Sequence, residues 1–161
     1  MLSSVSQTAS KSGPTNPAAL DGPRPLTPRD RLWQRLAARR LCTLTTRTPY
    51  GEPCSFTLRL QNRAVRPGDA LWFFVERGSD LAFDVTLSPE VEIAVLEDDL
   101  CPWTLGGRAV VVGDLAHAEF TPGVPVEALR ELPAPDSEPA QRQLLLRVDV
   151  ATARADQRPA A

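Results

Sequence analysis

The chain has one lysine, Lys11, and one histidine, His117, beside 17 arginines in 161 residues. Lys11 lies in a polar stretch, which argues against a lysine Schiff-base enzyme. A single histidine leaves almost no material for a histidine-based triad or a multi-histidine metal site. The three cysteines, Cys42, Cys54 and Cys101, form no C-x-x-C pair. Their odd number, without a secretion signal, reads as reduced thiols rather than a disulfide frame. The formal charge is −2, so the basic excess of a nucleic-acid binder is missing. No stretch approaches the ~18 unbroken apolar residues of a membrane helix. The N-terminus has no apolar signal-peptide core, so a cytoplasmic protein without membrane or nucleic-acid partners is expected. Any chemistry must then lean on a bound cofactor, or on arginines and backbone donors, unless there is no chemistry.

What is present suits one globular domain: 42% of residues are apolar, and the length allows a real core. Residues 1–26 are rich in Ser, Thr, Pro and Gly and carry no apolar period, which predicts a disordered tail. Eleven of the 16 prolines fall outside residues 29–113. The middle is therefore the packed body. The expected organisation is a tail at 1–26, a domain at 27–155 and a frayed end at 156–161.

The body opens with Thr27-Pro28-Arg29-Asp30, a capping box with proline at the first helical position. Leu32, Trp33, Leu36 and Ala37 follow at helical spacing, and Arg39-Arg40 closes the helix. Leu41–Thr46 and Pro53–Gln61 alternate as two strands around the turn Thr48–Gly51. Paired as a hairpin, they put Cys42, Leu44, Cys54 and Phe56 on one face, where the thiols are core fillers. Ala70–Val75 is apolar on both faces, a central strand covered twice. Gly78-Ser79-Asp80 opens a short helix to Leu87, with Leu81, Ala82 and Val85 inward. Val91, Ile93 and Val95 mark a fourth strand, and Glu97-Asp98-Asp99 an acidic turn. Pro102–Gly113 is a long fifth strand, where Gly106-Gly107 predicts a bulge, a bend or a close backbone approach. His117–Phe120 reads as a sheet extension, Val126–Leu132 as a helical turn, and Leu144–Val150 as the last strand. The expected fold is mostly β: a six-stranded antiparallel barrel with two short helices outside.

Three segments in order, Leu44-Thr45-Thr46 with Gly51, Leu71-Trp72-Phe73-Phe74 with Ser79, and Gly107-Arg108-Ala109, carry a likeness. The chain resembles the pyridoxamine 5′-phosphate oxidase-like split-barrel proteins, and within them the FMN-binding bacterial general stress proteins. The resemblance spans about Leu32 to Val112. It implies a six-stranded split barrel, a homodimer, and FMN in a groove between the two barrels, hence a flavin-dependent oxidoreductase of undetermined substrate. Ser79 and Arg77 would hold the phosphate at the helix start. Arg59 is the basic residue of the second strand. Trp103 and Arg108 would flank the ring or ribityl chain. No catalytic side chain and no metal ligand is singled out. A deazaflavin or haem is a lesser alternative within the same resemblance.

Two departures support a competing reading. Ser55-Phe56-Thr57 stands where the family often has an Arg-Pro pair, and Leu81 falls near its usual lysine. The chain is then a split-barrel dimer without cofactor, acting as a stress-response or interaction module. Each residue also has a structural role to fill: Ser79 as a plain N-cap, Arg59 and Arg77 as solvated arginines, Trp72 and Trp103 as core or dimer contacts. Arg108 would pair with an acid on a neighbouring strand, and His117 would sit at the surface.

Overall fold

The structure, a computed structural model, describes residues 22–95 and 103–155. Most of the expected tail, the acidic turn at 97–99, Cys101, Pro102 and the expected frayed end lie outside these. Helix α1 (Pro28–Arg39) begins as its capping residues dictate. Thr27 Oγ1 accepts from the Asp30 amide at 3.1 Å, and the Asp30 carboxylate accepts from the Thr27 amide at 3.0 Å. These bonds hold the Asp30 carboxyl below its ordinary range. Leu32, Trp33 and Leu36 are buried.

Six strands follow: β1 (Leu41–Arg47), β2 (Pro53–Arg59), β3 (Leu71–Glu76), β4 (Glu90–Val95), β5 (Trp103–Asp114) and β6 (Gln143–Ala155). They form one sheet in the order β2-β1-β4-β5-β6-β3, with every pairing antiparallel. The sheet curls until its two ends meet at a bridge between Leu60 and Phe73. Beside it the Gln61 amide donates to the Trp72 carbonyl at 2.8 Å. Arg40, in the left-handed region at φ 59°, closes α1 and steers the chain into β1. Its backbone carbonyl accepts from the Leu60 amide, and its Nε donates to the Leu60 carbonyl. This is the mostly β, six-stranded antiparallel barrel expected from the pattern, in the split form that the resemblance implies.

The third strand is covered on both faces, though not as a central strand. It ends the sheet order and closes the barrel. Leu71, Phe73 and Val75 enter the main core with α1, α2 (Asp80–Leu87) and the inner faces of β1, β4 and β5. Trp72 and Phe74 face the other way, into a second cluster with Leu115, Ala118, Ala140 and Leu145. That cluster explains two corrections. Leu115–Phe120 is a 3-10 turn rather than more sheet, because Leu115 and Ala118 pack onto Trp72. The described residues also form four α-helices instead of two. Besides α3 (Val126–Arg130), α4 (Glu138–Arg142) places Ala140 under the same cover.

The hairpin puts Cys42, Leu44, Cys54 and Phe56 on one face as expected, with Cys42 opposite Leu58, Leu44 opposite Phe56 and Thr46 opposite Cys54. Cys42 is fully buried, and burial pushes its thiol up to about 12. At pH 8 only on the order of one in 10⁴ such thiols is a thiolate, the reactive form. Cys42 is therefore expected to escape iodoacetamide in the folded protein and react only on unfolding, while half-buried Cys54 reacts first. Peptide mass spectrometry reads the order. Equal labelling of both would mean that the β1–β2 core is open to solvent.

Candidate functional site

The polar face of the sheet is set by strand alternation. Residues opposite those in the core point outward, and pairing aligns them in rows: Thr45 beside Glu92, Glu92 beside Gly106, Gly106 beside Thr152. Two residues further along, Glu90 pairs with Arg108 and Arg108 with Asp149. Across these rows lies a groove of about 440 Å³ that spans β1, β4, β5 and β6.

Glycine shapes its floor. The β5–β6 register slips between Gly106 and Gly107, so that Ala151 is an extra residue on β6. At Gly106 a Cβ would stand 2.6 Å from Thr152 Oγ1, and any larger side chain would fill the groove. At Gly107 a Cβ would stand 2.4 Å from the Asp149 carbonyl oxygen, which is backbone and cannot rotate away. The two glycines are thus a close backbone approach and a bulge at once.

Four charged side chains surround that floor: Arg47 from β1, Glu90 and Glu92 from β4, and Arg108 from β5. Arg47 Nη1 donates to the Gly51 carbonyl at 3.0 Å, anchoring it to the β1–β2 turn. Arg108 is exposed and forms no ion pair among the described residues. Its neighbour Asp149 is engaged instead by Arg147, at 3.2 Å. Arg108 therefore keeps its guanidinium donors available on an open cavity wall.

The other expected site residues are dispersed. Ser79 caps α2, its Oγ accepting from the Ala82 amide at 3.2 Å. Arg77 pairs with Asp114 and donates from Nε to the Gln141 carbonyl, tying the β3–α2 turn to β5 and α4. Arg59 is exposed at the end of β2, opposite Leu41. None of these three lines the groove. Trp103, half-buried at the start of β5, lines a second cavity of about 510 Å³ with Arg29 and Arg154. The two cavities share Ala151 and Thr152. His117 is exposed, with Nδ1 3.9 Å from an Asp114 carboxylate oxygen. Among the described residues no three His, Cys, Asp or Glu side chains cluster as a metal site, and no helix is long and apolar enough to cross a membrane.

Arg47, Glu90 and Glu92 were not among the expected site residues. Their signal was present: each occupies an outward position in an alternating strand. Only the pairing of β1 with β4, and of β4 with β5, brings them together.

No family model matches the sequence, and no curated protein does. Solved structures do. A pyridoxamine 5′-phosphate oxidase-related, FMN-binding protein from Nostoc punctiforme is 21% identical, with a TM-score of 0.53 over 78% of this chain and 81% of its own. General stress protein 26 from Bacillus anthracis is 17% identical, with a TM-score of 0.51 over 76% of this chain and 92% of its own. An F420 reductase is 17% identical, with a TM-score of 0.56 over 78% of this chain and 94% of its own. The chain shares the split-barrel fold of these proteins.

Proposed function

We propose that this chain binds a flavin nucleotide, FMN, in the groove over Gly106, and that the bound flavin serves an oxidoreductase. The observation that carries the reading is Arg108, without an ion pair among the described residues, on the wall of a glycine-floored cavity, in a fold shared with a protein described as FMN-binding. A cavity of this size lies in the ordinary range for small-molecule sites, roughly 300–1,000 Å³. The bare surface at Gly106 gives a flat ring room to lie against the sheet. Arg108, with Arg47 across the groove, supplies charge-assisted donors for the phosphate. A flavin would contribute hydride or electron transfer, and the protein would contribute position and field. The phosphate seat in this reading goes to Arg108 and Arg47, which line the groove, in preference to Ser79 and Arg77, which do not. The reading includes a cytoplasmic homodimer whose second copy covers the open side of the groove.

The test is a titration of the purified protein with FMN, read by flavin fluorescence. Arg108→Ala is expected to weaken binding ten- to a hundredfold, the effect of losing a hydrogen bond to a charged group worth about 1.5–3 kcal/mol. Arg59→Ala is expected to change nothing. Weakening by Arg77→Ala equal to that by Arg108→Ala would return the phosphate to the β3–α2 turn. Light scattering should give twice the 17.5 kDa chain mass.

One observation favours the second reading, a barrel that works without cofactor. Glu90 and Glu92 line the same groove. A carboxylate ~5 Å from a phosphate repels it by roughly 3 kcal/mol per charge at an effective dielectric of ~20. Colourless protein that gives no signal with added FMN would establish that reading.

A further inference from the structure

Strand β2 ends the sheet order, and its outer edge meets β3 only through the bridge between Leu60 and Phe73. The register with β1 fixes which backbone groups face that edge. The Leu60 amide donates to the Arg40 carbonyl, and the Thr48 amide to the Glu52 carbonyl. These are hydrogen-bonded positions at the two ends of the β1–β2 ladder, and such positions alternate in an antiparallel pair. Cys42 with Leu58, Leu44 with Phe56 and Thr46 with Cys54 therefore bond across the ladder. Ser55 and Thr57 lie between them and turn N–H and C=O away from β1. Among the described residues no backbone group bonds to them on that side. At Arg59, the next position of this kind, the Gln61 side chain donates to the carbonyl at 3.2 Å. Phe56 and Leu58 are only half-buried, although Leu44 and Cys42 beside them on β1 are fully buried. The bare flank of β2 is what exposes them. Edges left open in this way are usually blunted by charge, proline or a bulge. Residues 54–58 carry none of these.

We infer that this edge recognises the same edge of a second copy: two β2 strands pair antiparallel about an axis through Phe56, and the sheet runs from one barrel into the other. The strand's match to itself argues for this occupant. Ser55 and the partner's Thr57 exchange both backbone hydrogen bonds, and the axis repeats the exchange. Arg59 meets the partner's Pro53. Proline has no N–H to give, and the Arg59 carbonyl, already bonded to Gln61, needs none. The Arg59 amide is left to donate to the carbonyl of the partner's Pro53. Sliding the strands so that Pro53 stands opposite the partner's Thr57 would instead leave a Thr57 carbonyl without a donor. The side chains match as well. On the core side Phe56 meets the partner's Phe56, and Cys54 meets the partner's Leu58, so half-buried apolar groups cover each other. On the outer side the small hydroxyls of Ser55 and the partner's Thr57 meet. The last pair sets Arg59 near the partner's Glu52, and neither side chain has an ion pair among the described residues. An unrelated extended segment would satisfy the backbone groups without these matches. β2 borders β1, which forms one wall of the groove, so the copy that pairs here stands beside the groove. The pairing itself does not rest on the flavin reading.

Thr57→Pro isolates the pairing. The Thr57 amide lies outside the β1–β2 ladder, so the proline spares the fold's own bonds while it removes a donor from the edge and adds a ring there. Circular dichroism checks that the variant is folded. Light scattering over a concentration range is expected to give the parent twice the 17.5 kDa chain mass. Thr57→Pro should weaken the pairing about a hundredfold or more, roughly tenfold for the bond lost on each chain. Hydrogen exchange at the Ser55 amide is expected to be slow in the parent and fast in Thr57→Pro. A folded Thr57→Pro that keeps the parent's mass overturns the proposal and places the contact between copies elsewhere. A parent of single mass at every concentration overturns it too, and slow exchange at Ser55 in that monomer would give the edge to another segment of the same chain. Phe56→Cys tests the axis and decides the matter if the proline unfolds β2. The introduced thiols would lie on Cα atoms ~4.5 Å apart, within the ~4.4–6.8 Å that a disulfide spans. Oxidised glutathione is expected to join the two chains through position 56, read by peptide mass spectrometry. No crosslink, or one through Cys54 alone, overturns the pairing about Phe56. FMN is absent from all of these measurements, so their outcome and that of the flavin titration are independent.

Discussion

Gly107→Ala is expected to destabilise the protein by about 3 kcal/mol, while Gly106→Ala changes stability by no more than about 1 kcal/mol. The two residues are adjacent on one strand, and the added group is the same methyl. What differs is the atom it meets. At Gly107 the methyl runs into the Asp149 carbonyl oxygen at 2.4 Å, so β5 and β6 must separate at the bulge where their ladder is already broken. At Gly106 it meets the Thr152 hydroxyl, and one rotation about the Thr152 side chain relieves the contact. Neither glycine has a positive φ, so backbone preference does not contribute. For a domain of this size, 3 kcal/mol lowers Tm by roughly 10 °C. Urea midpoints of the two variants check the contrast. Equal destabilisation would mean that the strands do not approach closely at Gly107. A larger residue at Gly106 separates stability from binding: Gly106→Leu is expected to keep the fold and abolish FMN binding by filling the groove.

The elements whose signals are local were legible in the sequence. Thr27 and Asp30 announce α1 because a capping box is a contact between residues three apart. Leu81, Ala82 and Val85 were placed inward on α2 by helical spacing alone. The two-faced apolar run at Leu71–Val75 required cover on both sides, and the structure supplies it with the main core and the Trp72 cluster. What periodicity does not contain is which strands lie side by side. It makes the run look central, whereas β3 sits at the end of the sheet order and meets β2 only through one bridge. The site shows the same limit. Arg108 and Glu90 are 18 positions apart, and Arg47 is more than 40 from either; only the β1-β4-β5 order makes them one groove. Ser79 illustrates the converse. A serine at a helix start serves equally as a cap or as an anion contact, and the sequence does not distinguish them. Helix α4 was missed although Ser137-Glu138-Pro139 carries a start signal, because the helix is five residues long and is held by Ala140 against a surface made elsewhere.

The pair that no sequence pattern marked is Thr46 with Asp84. Asp84 is 3% exposed on α2, at a position where the helix is otherwise apolar toward the barrel. Its carboxyl accepts from Thr46 Oγ1 at 3.0 Å, joining α2 to β1 beside the groove. Thr46→Val keeps the volume and removes the donor. It is expected to cost about 2–3 kcal/mol, since a buried acceptor that loses its partner bears the desolvation penalty without return. Asp84→Asn retains a carbonyl acceptor for the same hydroxyl and should cost about 1 kcal/mol. The decisive variant is the double replacement Thr46→Val with Asp84→Leu. If the pair serves to fix how α2 sits on β1 rather than to add stability, two apolar side chains will pack there, and the double variant will be more stable than Thr46→Val alone. Urea unfolding of the three variants measures the coupling. A strictly additive result would mean that the two side chains do not interact. A double variant as stable as the parent but with FMN binding lost would show that the polar contact is kept for the shape of the groove wall at β1.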